Sequence, residues 1–423
     1  MCNNFCKVAA FLEKKGRNLL LSSCFLCGTS LSLSEPLRFE EALPLVLEQA
    51  QLNKRTEASA HASRARVQAA KALPKPSGFV QHELLDGSAG DISETNFGIS
   101  SPLDFLWKRS ARVDSAWQFN EIASHKIAER KRQVAYQLAS IYLAANVAKH
   151  QLAVFTDIET RLNEAYRISG ALAENGEISP SQSRRIALAM DQLAIERGLL
   201  EAESVGNQAE FAALTDNETA QPKRMEISEL PFGSLASAVT ASATRPDLKA
   251  FETIANWRRA EIARYHAEGL PAASLAIAYR RDNENRRGAF IGFSVELPIF
   301  GETRANKRLA RSESFEAEID CDQLSRQIHR DIAVAFYRYQ KLNKQVAGNN
   351  QANNKNHLAS KLAAFRNGEV SVVEYLDAIQ VYSETLFSQI ERHRLRQQAA
   401  LDLVFQTGSN YPFSDSTLNF SEQ

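Results

Sequence analysis

The side chains best suited to ligate a transition metal or move a proton near neutral pH are the eight histidines, His61, His82, His125, His150, His266, His329, His357 and His393. None stands at metal-site spacing from another. The three methionines, Met1, Met190 and Met225, do not make a thioether path for copper. No glycine-rich loop is built to cradle phosphate. Carboxylates are abundant, as in any long helix, and no pair stands out as an acid and base. The expectation is a chain without catalytic residues, cofactor or resident metal, and not an enzyme.

Lys plus Arg and Asp plus Glu both number 50, so no net charge calls for a nucleic acid partner. Of five cysteines, four (Cys2, Cys6, Cys24 and Cys27) lie in the first 27 residues, and only Cys321 remains if that segment is removed. Lys14, Lys15 and Arg17 precede an uncharged stretch from Leu19 to Leu33, and Ser32-Leu33-Ser34 follows the small-x-small rule for cleavage after Ser34. Residues 1–34 therefore read as an export signal. Leu21-Ser22-Ser23-Cys24 is also shaped like a lipoprotein box that would leave Cys24 acylated, but only Leu19 to Leu21 would stand before it as an apolar core. No other segment has 18 consecutive apolar residues, so any further membrane crossing falls to strands.

Most of the chain must be helical. Residues 39–72 read as one helix, stopped by Pro74 and Pro76. From 108 to 173 there is no proline and a single glycine, Gly170. A helix of about 66 residues is roughly 100 Å long and needs neighbours along its length, as a coiled coil or stacked bundle. Asn175-Gly176-Glu177 breaks it, Ser179-Pro180 restarts it, and a second helix to about Thr215 completes an antiparallel hairpin. The second half repeats the plan: helix 245–268, strands 272–280 and 289–297, helix 304–365, a turn at Asn367-Gly368-Glu369, and a returning helix 370–407. Gly176 and Gly368 are 192 residues apart and Pro74 and Pro271 are 197 apart, which points to an internal duplication.

Between the helices lie short alternating segments. Phe97, Ile99 and Ser101 share one strand face; Leu275, Ile277 and Tyr279, then Ile291, Phe293, Val295 and Leu297, do the same more clearly. Strands of about nine residues with one apolar face, joined by the polar stretch 280–288, suit a transmembrane barrel as well as a hairpin lying on a soluble core. Two hairpins cannot close a barrel, so a membrane role requires strands from several chains.

Taken in order, Leu37-Arg38-Phe39-Glu40-Glu41-Ala42-Leu43, Pro102-Leu103-Asp104, Arg245-Pro246-Asp247-Leu248, Glu296-Leu297-Pro298-Ile299-Phe300-Gly301, Tyr375-Leu376-Asp377-Ala378 and Thr407-Gly408 resemble the outer-membrane efflux protein family, the TolC-like channels, closest to the branch serving heavy-metal pumps. The resemblance implies a mainly α chain with a small transmembrane β part. Long helical hairpins would form a periplasmic tunnel, and four strands per chain would join a 12-stranded barrel in a homotrimer. It divides the chain into a signal 1–34, a first repeat 35–230 (strands 77–105, helices 108–215), a second repeat 231–408 (strands 272–300, helices 304–407) and a tail 409–423. It further implies a passive exit duct in the outer membrane, with lipid, a periplasmic adaptor and an inner-membrane pump as partners, and puts divalent cations ahead of drugs or peptides as cargo. The tips Asn175, Gly176, Glu177, Asn367, Gly368 and Glu369 would dock the adaptor. By the same match Glu374 and Asp377, i and i+3 on one helix face, would line the entrance constriction, with Arg338 and Arg366 available to tether them; the first repeat has Gln182 and Arg185 there. A coiled-coil scaffold of the envelope that never spans a membrane is the alternative reading.

Overall fold

The computed structural model describes residues 36–85, 92–298, 302–346 and 352–415. The export signal, Cys24, the turn at Asp86-Gly87, the Ile299-Phe300-Gly301 end of one motif and the last eight residues of the tail lie outside the described residues. All that is described belongs to the unit Glu35–Gln423.

In chain order the helices and strands are α1 (Phe39–Gln49), α2 (Leu52–Lys71), β1 (Ser77–Leu85), β2 (Ile92–Pro102), α3 (Phe105–Glu174), α4 (Pro180–Thr215), β3 (Met225–Ile227), α5 (Leu235–Ala241), α6 (Pro246–Glu268), β4 (Ala272–Asp282), β5 (Arg287–Glu296), α7 (Glu302–Val346), α8 (Ala352–Arg366), α9 (Val372–Thr407) and β6 (Phe413–Asp415). Helix, strand pair and helical hairpin thus occur twice. The expected helix 304–365 is seen as α7 and α8, on either side of 347–351, which lie outside the described residues.

The expected single helix 39–72 is two. Gln51 adopts the left-handed conformation, φ 54°, and divides α1 from α2. The packing explains why a break is needed. Phe39, Ala42 and Val46 form a buried stripe on α1, whereas α2 is polar nearly all round and buries only Leu52 and Val67. One straight helix would not seat the α1 stripe in the core and lay α2 along α3 as well.

At 1.5 Å per residue, the 70 residues of α3 span roughly 105 Å. Over its tip half, Ile158, Leu162, Ala165 and Ser169 are buried at alternating steps of four and three, and Val372, Tyr375, Ile379 and Tyr382 do the same on α9. That spacing keeps one seam facing a neighbouring helix. A tip-side core joins these stripes to Ile186, Leu358 and Phe365. A second core in the midsection gathers Leu138, Tyr142, Phe211, Ile332, Phe336, Leu401 and Leu403 from four helices, with Phe39 and Met225.

The four long strands form one antiparallel sheet in the order β1-β2-β4-β5. Its register aligns Val80, Phe97, Tyr279 and Ala289 in one rung and Gly78, Ile99, Ile277 and Ile291 in the next on that face. Leu275 and Phe293 follow. The face is apolar and open: Ile99, Ile277, Ile291 and Phe293 are each between 59 and 73 % exposed. On the opposite face Asn96 and Ala278 are buried, and a Cβ on Gly98 would lie 2.6 Å from the Ala278 Cβ and from the Phe79 ring. Small residues there allow close approach between neighbouring strands on that side. A second, two-stranded sheet pairs β3 with β6 and so ties the segment between α4 and α5 to the C-terminal end.

Candidate functional site

Both helical hairpins turn by the same device. Gly176 and Gly368 have φ +75° and +72°, conformations costly for any residue with a Cβ. In the first tip the Glu177 N–H donates to the Leu172 carbonyl and the Gly176 N–H to the Ala173 carbonyl, at 2.9 and 3.1 Å. In the second, Glu369 donates to Ala364 and Gly368 to Phe365 at the same distances. These are the paired bonds of a Schellman stop. Three residues after each glycine a serine restarts the helix: Ser179 pairs with Gln182, and Ser371 with Glu374, as capping boxes. Asn175, Gly176, Glu177, Asn367, Gly368 and Glu369 are all exposed.

The tips differ in their bracing. Behind Gly368 the rings of Phe365 and Tyr375 stack at 5.2 Å, 9° from parallel, both fully buried. At the corresponding positions of the first tip stand Ala173 and Ser183, and Ser183 Oγ lies 3.0 Å from Ser169 Oγ. The second tip has the apolar clamp. Sequence reasoning placed Tyr375 only within a motif, although an aromatic ten residues after another across a turn was a visible signal.

Glu374 and Asp377 are both exposed and line a groove of about 300 Å³ with His357, Lys361 and Tyr382. Glu374 also caps its own helix, since its Oε2 accepts from the Ser371 N–H at 2.9 Å and from Ser371 Oγ at 3.0 Å. Those bonds hold its carboxyl below the usual carboxylate range. The expected tethers are engaged elsewhere within the chain. Arg366 Nη2 donates to Glu164 Oε1 at 2.7 Å, and Arg338 lies 3.8 Å from Asp402. Among the described residues no group of three or more His, Cys, Asp or Glu is arranged to hold a metal.

No protein-family model matches the chain. The architecture is nonetheless recognisable in solved structures: CusC, described in terms of transmembrane channel formation, superimposes with a TM-score of 0.69 at 17 % identity over 90 % of this chain and 96 % of that one. The outer membrane protein VceC of Vibrio cholerae gives 0.71 at 13 % identity over 88 % and 96 %. This chain has the fold of the TolC-like outer-membrane efflux channels. In sequence it is similar to the cobalt-zinc-cadmium resistance protein CzcC of Cupriavidus metallidurans, 22 % identical over 249 residues, 56 % of this chain and 57 % of that protein. The chain thus matches little more than half the length of this curated relative.

In the efflux-channel fold seen here, the midsection carries a polar cluster that sequence reasoning missed. His150 of α3 and His393 of α9, separated by 243 positions, meet the Arg224 and Glu226 side chains of the segment between α4 and α5. Arg224 Nη2 is 2.6 Å from His150 Nε2, and His393 Nε2 is 3.4 Å from Glu226 Oε2. Burial first, then Arg224 and His393, pushes His150 down to about 4. Burial also lowers His393, against the pull of Glu226. The cluster is stitched in place by Gln397, whose Oε1 accepts from the Ile227 N–H at 2.9 Å, and by Asn146, whose Nδ2 donates to the Met225 carbonyl. Its position, between two long helices and the segment linking α4 to α5, fits a fastening rather than a reaction centre.

Proposed function

We propose that the chain is the outer-membrane channel of a tripartite efflux system, a passive exit duct assembled as a homotrimer. One observation carries the reading: one face of the four-stranded sheet is a ladder of exposed apolar side chains, from Val80, Phe97 and Tyr279 down to Phe293 and Val295. Burying each such side chain is worth roughly 1.5–3 kcal/mol, so hydrocarbon is a far better solvent for this face than water. Strands of 9 to 11 residues match a tilted crossing of a bilayer. Among the described residues β1 and β5 are each paired on one side only. Open edges are not tolerated in lipid, and three copies joined edge to edge close a 12-stranded barrel. No described helix is long and apolar enough to cross a membrane, which leaves the crossing to strands.

With the barrel in the outer membrane, the long hairpins extend into the periplasm and their tips face an adaptor and, beyond it, an inner-membrane pump. Glu374 and Asp377 from three chains then present carboxylates around the entrance, a field that favours cations. The names of the curated relatives, CzcC and the nickel-cobalt-cadmium resistance protein NccC of Alcaligenes xylosoxydans xylosoxydans, put divalent metal cations first among cargoes. Two experiments test this. The exported protein should be recovered from membranes as a trimer that conducts in a planar bilayer; a monomer in the detergent-free soluble fraction returns the non-spanning scaffold. Gene deletion should sensitise cells to divalent metals, and a phenotype confined to dyes and detergents defeats the metal cargo while leaving the channel intact.

A further inference from the structure

At the loop end of the sheet, one rung above the apolar ladder, the register aligns His82, Thr95, Arg281 and Arg287 across all four strands on the same face as the ladder. His82 Nδ1 and Thr95 Oγ1 are 2.8 Å apart. Arg281 and Arg287 are direct cross-strand partners and both are exposed. Side chains opposite one another in an antiparallel pair stand roughly 5 Å apart at Cβ, and like charges there repel.

The acids nearby are taken by other arginines. Glu94 pairs with Arg280, and Arg286 holds Asp282 at 2.7 Å and Glu284 at 3.1 Å. Among the described residues no ion pair joins Arg281 or Arg287 to a carboxylate. Two adjacent guanidinium groups with a hydroxyl and an imidazole beside them form a donor row, and guanidinium forks match phosphate oxygens. Directly below the row, Tyr279, Ile277 and Ile291 offer apolar surface. Phosphate donors above hydrocarbon-compatible surface describe the headgroup and acyl chains of one molecule.

Resting on the channel reading, we propose that this rung is a binding site for the phosphorylated headgroup of an outer-leaflet glycolipid, with its acyl chains lying on the ladder below. The long helices attach at the other end of the strands, so under that reading the rung faces the outer leaflet. The same rung explains why the chain keeps two like charges opposite each other: a bridging phosphate removes their repulsion and fixes the depth of the barrel.

The test uses the purified full-length protein in detergent and native mass spectrometry, after its trimeric state and conductance have been recorded. The probes are diphosphorylated lipid A, the same lipid dephosphorylated, and inorganic phosphate alone. Wild type should retain the diphosphorylated lipid through delipidating washes, and retention should fall at least about tenfold in Arg281→Gln/Arg287→Gln. Arg281→Lys/Arg287→Lys should keep part of it. Comparable retention of the dephosphorylated lipid by wild type overturns the proposal without any variant, as does unchanged retention in the Gln variant. Displacement by millimolar inorganic phosphate assigns the row to a free anion and overturns it too. A conducting trimer without phosphate-dependent retention sinks this proposal alone; absence of trimer and conductance sinks the channel reading and the proposal with it.

Discussion

Arg245, at the start of α6, donates from Nη1 to the Gln406 main-chain carbonyl, 2.7 Å away in the last turn of α9. The same guanidinium forks onto both oxygens of Asp247, at 3.0 and 2.6 Å, and is only 5 % exposed. Arg132 of α3 joins from the other side, donating to the Phe405 carbonyl and lying 3.7 Å from Asp247. Burial raises the Asp247 carboxyl, but the two arginines outweigh it and hold it below its ordinary value. Gly408 closes α9 at φ +70°, where a Cβ would sit 2.8 Å from Arg245 Cγ. The Arg-Pro-Asp and Thr-Gly motifs are therefore two halves of one lock. Arg245→Ala should cost about 3–5 kcal/mol, because it strands the partly buried Asp247 carboxylate and leaves the Gln406 carbonyl in the last turn of α9 without this donor. Lysine cannot fork, so Arg245→Lys should recover only a minor part. Thermal melts of the detergent-purified protein read this, and a lysine variant as stable as wild type would refute the bidentate lock.

The two tip glycines see open space, since nothing lies within 4 Å of a Cβ built on either. Gly176→Ala and Gly368→Ala should therefore each lose only the backbone contribution, about 1 kcal/mol. Cysteines at Asn175 or Asn367 should crosslink the adaptor, whereas a cysteine at Asn283 in the strand loop should not. Capture from Asn283 alone would invert the proposed orientation.

Glu374 and Asp377 share a groove but not a role. Ser371→Ala should cost about 1 kcal/mol through the lost cap. The Glu374 carboxyl lies below its unfolded value in the folded chain, so its contribution is present above the unfolded pKa and fades as pH falls through the folded one. Asp377→Asn should leave stability unchanged and still reduce cation selectivity in a planar bilayer, most clearly at low salt. Replacing both by Asn should reduce it further without preventing assembly. Selectivity unmoved by the double change, with trimer verified, would make the pair ordinary helix-surface acids.

His150 supplies a pH signature outside the four-stranded sheet. Its imidazole is driven from 6.5 to about 4 by burial and by Arg224 and His393. Between those values the unfolded chain takes up a proton that the folded chain refuses, so stability falls as pH drops through that window. His393 is shifted the same way and adds to it. The loss for His150 should be on the order of 2 kcal/mol by pH 4, after allowance for partial solvent access. Melts at pH 7.5 and pH 5 should show the decline in wild type and a shallower one in His150→Gln. Equal slopes would mean that the cluster stays hydrated.

Much of the architecture was legible because it rests on local rules. A left-handed stop needs glycine, so Gly176 and Gly368 marked both tips and their 192-residue offset. Helix of this length needs only the absence of proline and a sustained apolar seam, and α3 and α9 carry both. Strand alternation identified Ile277 and Ile291 as belonging to an apolar face. The break at Gln51 was not legible: a non-glycine residue takes a positive φ there so that α1 and α2 can follow different packing directions.

The sequence by itself therefore determined the helices, the turns, the two-faced strands and their duplicated order, since each follows from propensities and periods within a few residues. Only the tertiary structure decided which faces meet. It stacked Phe365 on Tyr375, brought His150 to His393, joined Arg245 to Gln406, and set Arg281 opposite Arg287 on the apolar side of the sheet. The reason is physical: alternation says that a strand has two faces, but which face is closely packed depends on Gly98 meeting Ala278 and Phe79 across neighbouring strands. Contacts between residues far apart in the chain depend on the crossing and register of whole elements, which no local stretch encodes.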